Sequence, residues 1–200
     1  GIYNPSVTTL TGTTHLHLAN CTFNSPFNQI LPRITCGTGN QFNEAFFIDV
    51  TGDLPSSISG VFNNSFGLRN IVRSGKGTLT LESNNFQSYL ALTNNNNSGS
   101  IVGKGNEVYS RVDVFNYADS PVDLAYEGGT TTFSNQVLLV NTQNGTISIG
   151  LGGGTATLQN SASLQIGAFG TGTVSLNNLT VNGIYNPSVT TLTGTTHLHL

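Results

Sequence analysis

Few side chains in this chain could carry chemistry. The carboxylates are Glu44, Asp49, Asp53, Glu82, Glu107, Asp113, Asp119, Asp123 and Glu127, most of them isolated. Only Asp113, Asp119 and Asp123, together with Arg111, approach a cluster. Cleaving a polysaccharide takes paired carboxylates, or a carboxylate and a base, converging on one bond. Scattered acids read instead as surface and turn residues on a solvated face. No catalytic residue is assigned, and the chain is not read as an enzyme.

His15 and His17, which recur as His197 and His199, stand i, i+2 on one strand face, opposite Leu16 and Leu18. Two imidazoles on one side could bind a metal, but no Cys, Asp or third His lies nearby in sequence, so they read as an exposed pair with no ligand. Gly150-Leu-Gly-Gly-Gly154 lacks both the Asp of calcium-binding nonapeptides and the Lys-Ser/Thr of a phosphate loop, and reads as a turn. No metal and no cofactor is therefore expected. Cys21 and Cys36 are separated by roughly one solenoid turn. A disulfide between them would add about 3 kcal/mol in the chain-entropy model and imply an oxidising location. Two buried, inert thiols fit the spacing as well. Glycosylation sequons occur at Asn20, Asn63, Asn96, Asn144 and Asn178, a number that chance supplies in a chain so rich in Asn, Ser and Thr.

The elements that carry these residues follow from composition. Charged residues make up 8% of the 200 residues, against a usual share of about 25%. The polar surface is therefore built from Asn, Thr, Ser and Gly, which suit strands and tight turns better than helices. Almost no helix is expected. A net charge of -3, with six basic residues scattered along the chain, leaves no phosphate-binding face, so no nucleic-acid partner is expected. No apolar run is long enough to insert in a membrane as a helix. Low charge also removes the repulsion that keeps copies apart, which suits a protein that assembles.

The two ends of the chain are the same. Gly1 to Leu18 and Gly183 to Leu200 both read GIYNPSVTTLTGTTHLHL, so position 183 begins the sequence of position 1 again. Identity over so long a run points to a tandem array, with 1–182 as one repeat unit and 183–200 as the start of the next. Gly1 is preceded by no Met, basic region or apolar leader, as expected of a window within such an array. An artificially duplicated end is the plain alternative, and subunits exchanging identical end strands is another.

Within the unit a shorter phrase recurs. Gly75-Lys-Gly-Thr-Leu-Thr-Leu81, Gly152-Gly-Gly-Thr-Ala-Thr-Leu158 and Gly170-Thr-Gly-Thr-Val-Ser-Leu176 share one pattern, and Thr11-Gly-Thr-Thr-His-Leu16 is a weaker copy. A glycine corner followed by residues alternating with period two describes one strand of a solenoid coil. Val174 and Leu176 should point inward, Thr173 and Ser175 outward. The motif glycines near 154, 172 and 194 suggest coils of about 18–22 residues. Asn-bearing turns follow the strands at Leu18-Ala-Asn20, Leu81-Glu-Ser-Asn84, Leu158-Gln-Asn160 and Leu176-Asn-Asn178, where Asn tolerates a left-handed backbone and can stack in ladders. Residues 73–182 read as regular coils. Residues 19–72, rich in Phe and Pro, read as less regular.

The expected fold is all-β, a right-handed parallel β-helix, with a β-sandwich module in a tandem array as the alternative. The G-x-G-T-L-T-L phrase and its Asn-rich turns resemble bacterial surface proteins of the autotransporter passenger and filamentous-haemagglutinin-like adhesin type, over about residues 67–182. That resemblance implies secretion, a cell-surface location and work as an adhesin or fibre. Nine or so coils at about 4.8 Å each would make a unit of about 43 Å. The function expected is a structural repeat of an extracellular filament or adhesin stalk, whose partners are identical repeats or neighbouring copies. The rivals are a module binding surface glycans or other cells, and a polysaccharide-degrading β-helix enzyme.

Overall fold

Short strands separated by tight corners fill the computed structural model, which describes residues 8–63, 68–150, 152–159, 162–168, 170–182, 188–192 and 197–199. Among them there is no helix. The strands fall into three sheets of nine, nine and eight strands, visited in rotation. Sheet A begins with Thr8–Thr9, Phe27–Leu31 and Phe46–Val50 and ends with Ser188–Leu192. Sheet B runs from His15–Leu18 through Arg33–Cys36 to His197–His199. Sheet C starts at Thr22–Phe23 and Gln41–Phe42 and ends at Leu179–Val181. All pairings are parallel, such as Phe27 opposite Phe46, Thr78 opposite Ser100 and Thr130 opposite Thr155. The molecule is a three-sided parallel β-solenoid, not a sandwich.

Period-two alternation does the sorting. In Phe46–Val50 the residues Phe46, Ile48 and Val50 are buried while Phe47 and Asp49 are half-exposed. Val174 is fully buried and Leu176 nearly so, as their alternation predicts. Ser175 was expected to face outward but is buried as well, its hydroxyl accepting a hydrogen bond from the Asn177 amide at 2.8 Å. One continuous hydrophobic core runs the length of the solenoid from Leu18 to Leu176.

The coils are longer and more variable than the glycine spacing suggests. His15 pairs with Arg33 after a short coil, whereas Thr146 pairs with Thr173 after a much longer one. The recurring glycine phrase misled because it opens strands in two sheets: Thr78–Glu82 and Thr173–Leu176 lie in sheet B, whereas Thr155–Leu158 lies in sheet C. The step from Gly154 to Gly172 therefore joins two different faces and is shorter than the coil containing it. The extra length sits in the corners, because a one-residue shift inside a strand would turn every core side chain outward.

The pairing runs through residues 19–63 in the same rotation, and the phenylalanines there, apart from Phe47, build the core. Phe23, Phe42, Phe62 and Phe86 stack in one column of sheet C, with ring centroids 5.1, 4.8 and 4.7 Å apart. Phe27 and Phe46 stack beside them in sheet A at 5.2 Å and meet the column edge-on. Where Val108 interrupts the column between Phe86 and Phe133, a void of about 20 Å³ remains.

Asparagine ladders close two corners; the one at Asn84 is the turn ladder expected, and the other stands at the end of sheet A. Asn94, Asn116 and Asn141 point inward at the end of sheet A. The Asn94 and Asn116 amides each donate to the next Asn along (3.2 and 3.3 Å), and all three donate to a corner carbonyl, Gly99, Ser120 or Gly145. Asn84 donates to Ile58 O and Asn106 Oδ1, both at 3.0 Å, and Asn106 donates to Leu81 O at 2.9 Å. Asn20 and Asn178 adopt the left-handed backbone (φ 53° and 50°), but in the turn after Leu81 that place is taken by Ser83 (φ 54°), which frees Asn84 for the ladder. Asn160 lies outside the described residues.

Candidate functional site

The ends of the solenoid carry the repeated sequence. Thr8–Thr9 opens sheet A, and Ser188–Leu192, which contains the same residues in the second copy, closes it. His15–Leu18 opens sheet B and His197–His199 closes it. Nine strands make eight steps, so the repeated segment returns to the same sheets after a whole number of coils. It is also seated by parallel pairing, Gln165 opposite Ser188 and Thr173 opposite His197, with one register shift in sheet A between Ile166 and Gly167. A fractional phase would have placed it on a different face. The rest of the two terminal segments, residues 1–7, 183–187, 193–196 and 200, lies outside the described residues.

On the outer face of sheet B both His15 and His17 are exposed, while Leu18 is buried and Leu16 packs on the core. His15 Nε2 and His17 Nδ1 each lie 2.9 Å from Thr35 Oγ1 on the next strand. Thr35 comes from the next coil, so this contact is not visible in the sequence around the histidines.

The acids near residue 113 do not converge. Asp113 lies on sheet A, buried, held by Arg111 through two hydrogen bonds (2.6 and 2.8 Å) and by the Tyr89 hydroxyl at 2.6 Å. Burial and this carboxylate push the Tyr89 hydroxyl up to about 12. Asp119 sits in a corner and accepts the backbone N–H of Asn144 at 3.2 Å. Asp123 is buried on sheet B, where it accepts the backbone N–H groups of Ala125, Gly150 and Gly152 at 3.0–3.2 Å. That pins two long corners together, so the Gly-rich stretch 150–154 is a turn clamped by a carboxylate.

A groove of about 380 Å³ lies on sheet B, lined in part by Pro121, Asp123 and Tyr126. Its floor carries the hydroxyls of Thr78, Thr80, Ser100 and Ser148, and Lys104 and Tyr126 stand at its rim. The Lys104 ammonium lies 5.9 Å above the Tyr126 ring and 3.7 Å from Glu127.

Both cysteines are free, so the disulfide reading does not describe this structure. The Cys21 thiol donates to Ala19 O at 3.3 Å, and burial pushes the Cys36 thiol up to about 11. Among the sequons, Asn20, Asn63, Asn144 and Asn178 are exposed and Asn96 is half-buried. Asn63 ends an outer ladder, donating to Asn43 (2.9 Å), which donates to Asn24 (2.6 Å). Asn96 donates to Ser74 O at 2.9 Å.

Two arginines escaped notice in the sequence. Arg69 and Arg73 flank Ile71 on the inner side of sheet A and are fully buried. Arg73 gives hydrogen bonds to the carbonyls of Val50, Gly52 and Gly77 at 2.6–2.7 Å, tying three corner carbonyls to one guanidinium. Burial lowers the pKa of both arginines. They alternate with Asn70 and Val72 and share the inner face with Ile71, but a charged residue on a core face reads from sequence as surface. No family model, no curated protein sequence and no solved structure matches this chain.

Proposed function

We propose that the chain is a structural repeat of an extracellular filament or adhesin stalk, whose copies stack end to end into one long solenoid. The observation that carries this reading is the return of the repeated segment to the same two sheets after eight steps. A following copy can then continue the three sheets without a linker, and the unpaired strand edges that make any solenoid end prone to aggregation are covered at each junction. Low charge and a stiff backbone ladder fit the same use. The sequence resemblance to autotransporter-passenger and filamentous-haemagglutinin-like proteins supports a secreted, cell-surface setting.

Eight steps at about 4.8 Å give a unit of about 38 Å, in place of the 43 Å that about nine coils would give. Chains of two, four and six copies of residues 1–182, imaged by electron microscopy, should be rods that lengthen by about 38 Å per copy. Fibre diffraction should show a strong reflection near about 4.8 Å along the axis. Flexible beads, or a length increment unrelated to eight coil steps, would defeat the reading.

A second reading, binding of surface glycans, is favoured by the groove on sheet B, where several hydroxyls and one ammonium face solvent together. Glycan-array binding that is lost on Lys104→Ala would support it. An array with no signal would remove it.

A further inference from the structure

The stalk reading leaves the two histidines unused. They sit on a backbone that has little freedom: His15–Leu18 pairs residue for residue with Arg33–Cys36, and Leu18 anchors it in the core. Their rings are 6.5 Å apart and inclined at 75°. One ring presents Nε2 and the other Nδ1 to the same atom, Thr35 Oγ1, at 2.9 Å each. A hydroxyl has one proton, so it can donate to one imidazole while accepting from the other. Two nitrogens from adjacent same-face positions thus converge on one point outside the sheet, which is the arrangement of a chelate.

We propose that His15 and His17 form a two-imidazole surface site for a borderline divalent transition-metal ion. Imidazole nitrogen suits nickel, copper and zinc and discriminates against calcium and magnesium, which prefer oxygen. Metal–nitrogen bonds of about 2.0–2.1 Å are shorter than the present contacts to Thr35, so the rings must close on the ion as it takes over the Thr35 contact. The neighbouring cation is Arg33, opposite His15 in register, whose Nε is engaged by Pro55 O at 3.1 Å. Among the described residues no three His, Cys, Asp or Glu side chains group together, so the protein supplies two ligands and leaves the other positions to water or to a donor from outside. The site does not depend on the stalk reading. If the stalk reading also holds, the site recurs once per repeat, because His197 and His199 hold the same places at the far end of sheet B.

The test is calorimetric titration of the full chain with Ni²⁺. Because the His-Leu-His segment occurs twice, the informative variant combines His15→Asn with His197→Asn, leaving one imidazole per strand. It should bind Ni²⁺ at least about tenfold more weakly at an unchanged thermal midpoint, since ligand loss lowers affinity directly. Thr35→Val, which removes the shared hydroxyl but neither ring, should stay within about threefold of the parent. Ni²⁺ should also broaden the imidazole resonances of His15 and His17. Equal affinity in parent and double variant would overturn the proposal. So would loss of binding in Cys21→Ser/Cys36→Ser, which would assign the metal to the thiols.

Discussion

Replacing Phe42 by alanine tests whether the phenylalanine column holds the first coils together. Phe42 is fully buried, stacks on Phe23 and Phe62 with its ring 2° and 12° from parallel, and meets Phe27 and Phe46 edge-on at 5.6 and 4.8 Å. Truncating a buried Phe costs about 3–5 kcal/mol. Four ring contacts, each worth about 0.5–1.5 kcal/mol beyond area burial and not additive, put this case at the top of that range. The column above and below is built of the same rings, so neighbours have little room to collapse into the gap. A solenoid is close to one-dimensional, each coil touching only those beside it. The loss should therefore stay local: coils containing residues 22–63 should open first, while those containing residues 100–176 keep their protection. Urea unfolding followed by hydrogen exchange read peptide by peptide measures both effects. A change below about 1.5 kcal/mol, or protection falling evenly along the chain, would refute the column as the element that stabilises this end.

The remaining predictions concern corners and burial. Asn116→Leu should destabilise by about 2–3 kcal/mol in urea unfolding, because the buried Ser120 carbonyl and Asn141 amide oxygen both lose the donor that Asn116 supplies. Gly75→Ala should lower the thermal midpoint clearly, since a methyl there would sit 2.1 Å from Gly52 O and 2.5 Å from Thr51 O, both rigid backbone atoms. Asp123→Ala should loosen the corners around 125 and 150 selectively, seen as faster amide exchange at Ala125, Gly150 and Gly152, whose N–H groups lose their acceptor. The Cys36 thiol, raised from 9.0 to about 11 in the fold, binds its proton more tightly folded than unfolded. Its stabilising share is complete below about pH 9 and is lost as pH rises towards 11, by about 2 kcal/mol. Urea midpoints measured between pH 8 and 11 should fall less steeply in Cys36→Ala.

What could be read from the sequence was whatever repeats with period two. Val174 and Leu176 point inward, and Leu18 turns inward opposite the two histidines, because alternation in a strand is a local property. Coil length was not legible, since it is set by corners such as 124–129 and 150–154, whose residues carry no periodic signal. The inward phenylalanines Phe23, Phe27, Phe42, Phe46 and Phe62 looked irregular for a related reason: each strand contributes one ring, and the column appears only when the coils are stacked. The contact of His15 and His17 with Thr35, and the separation of Asp113 from Asp123 onto different sheets, are likewise products of pairing between coils. Buried Arg73 shows the limit of hydropathy, because the carbonyls of Val50, Gly52 and Gly77 accept its N–H groups and the charges of Asp53 and Asp49 favour its ionised form, and none of these is adjacent to it in sequence.

The variable corners bear directly on how such a unit can repeat. If coil length had to be constant, every strand would meet its partner after the same stretch of chain. Instead the coil from His15 to Arg33 is short and that from Thr146 to Thr173 is long. The quantity that must be whole is the number of coils, because only then does each strand of a following copy meet a strand of its own sheet. Extra residues such as those that make the coil between Thr146 and Thr173 long leave that number untouched, provided they lie in corners. An insertion of one residue within Val137–Asn141 would instead turn Leu139 out and Leu138 in and break the column of sheet A. In the stacking reading proposed above, strand register and coil count are the constrained quantities and corner length is not. Here the corners around 125 and 150 hold the Asp123 clamp, which lies outside the strand register that a continuing copy would have to match.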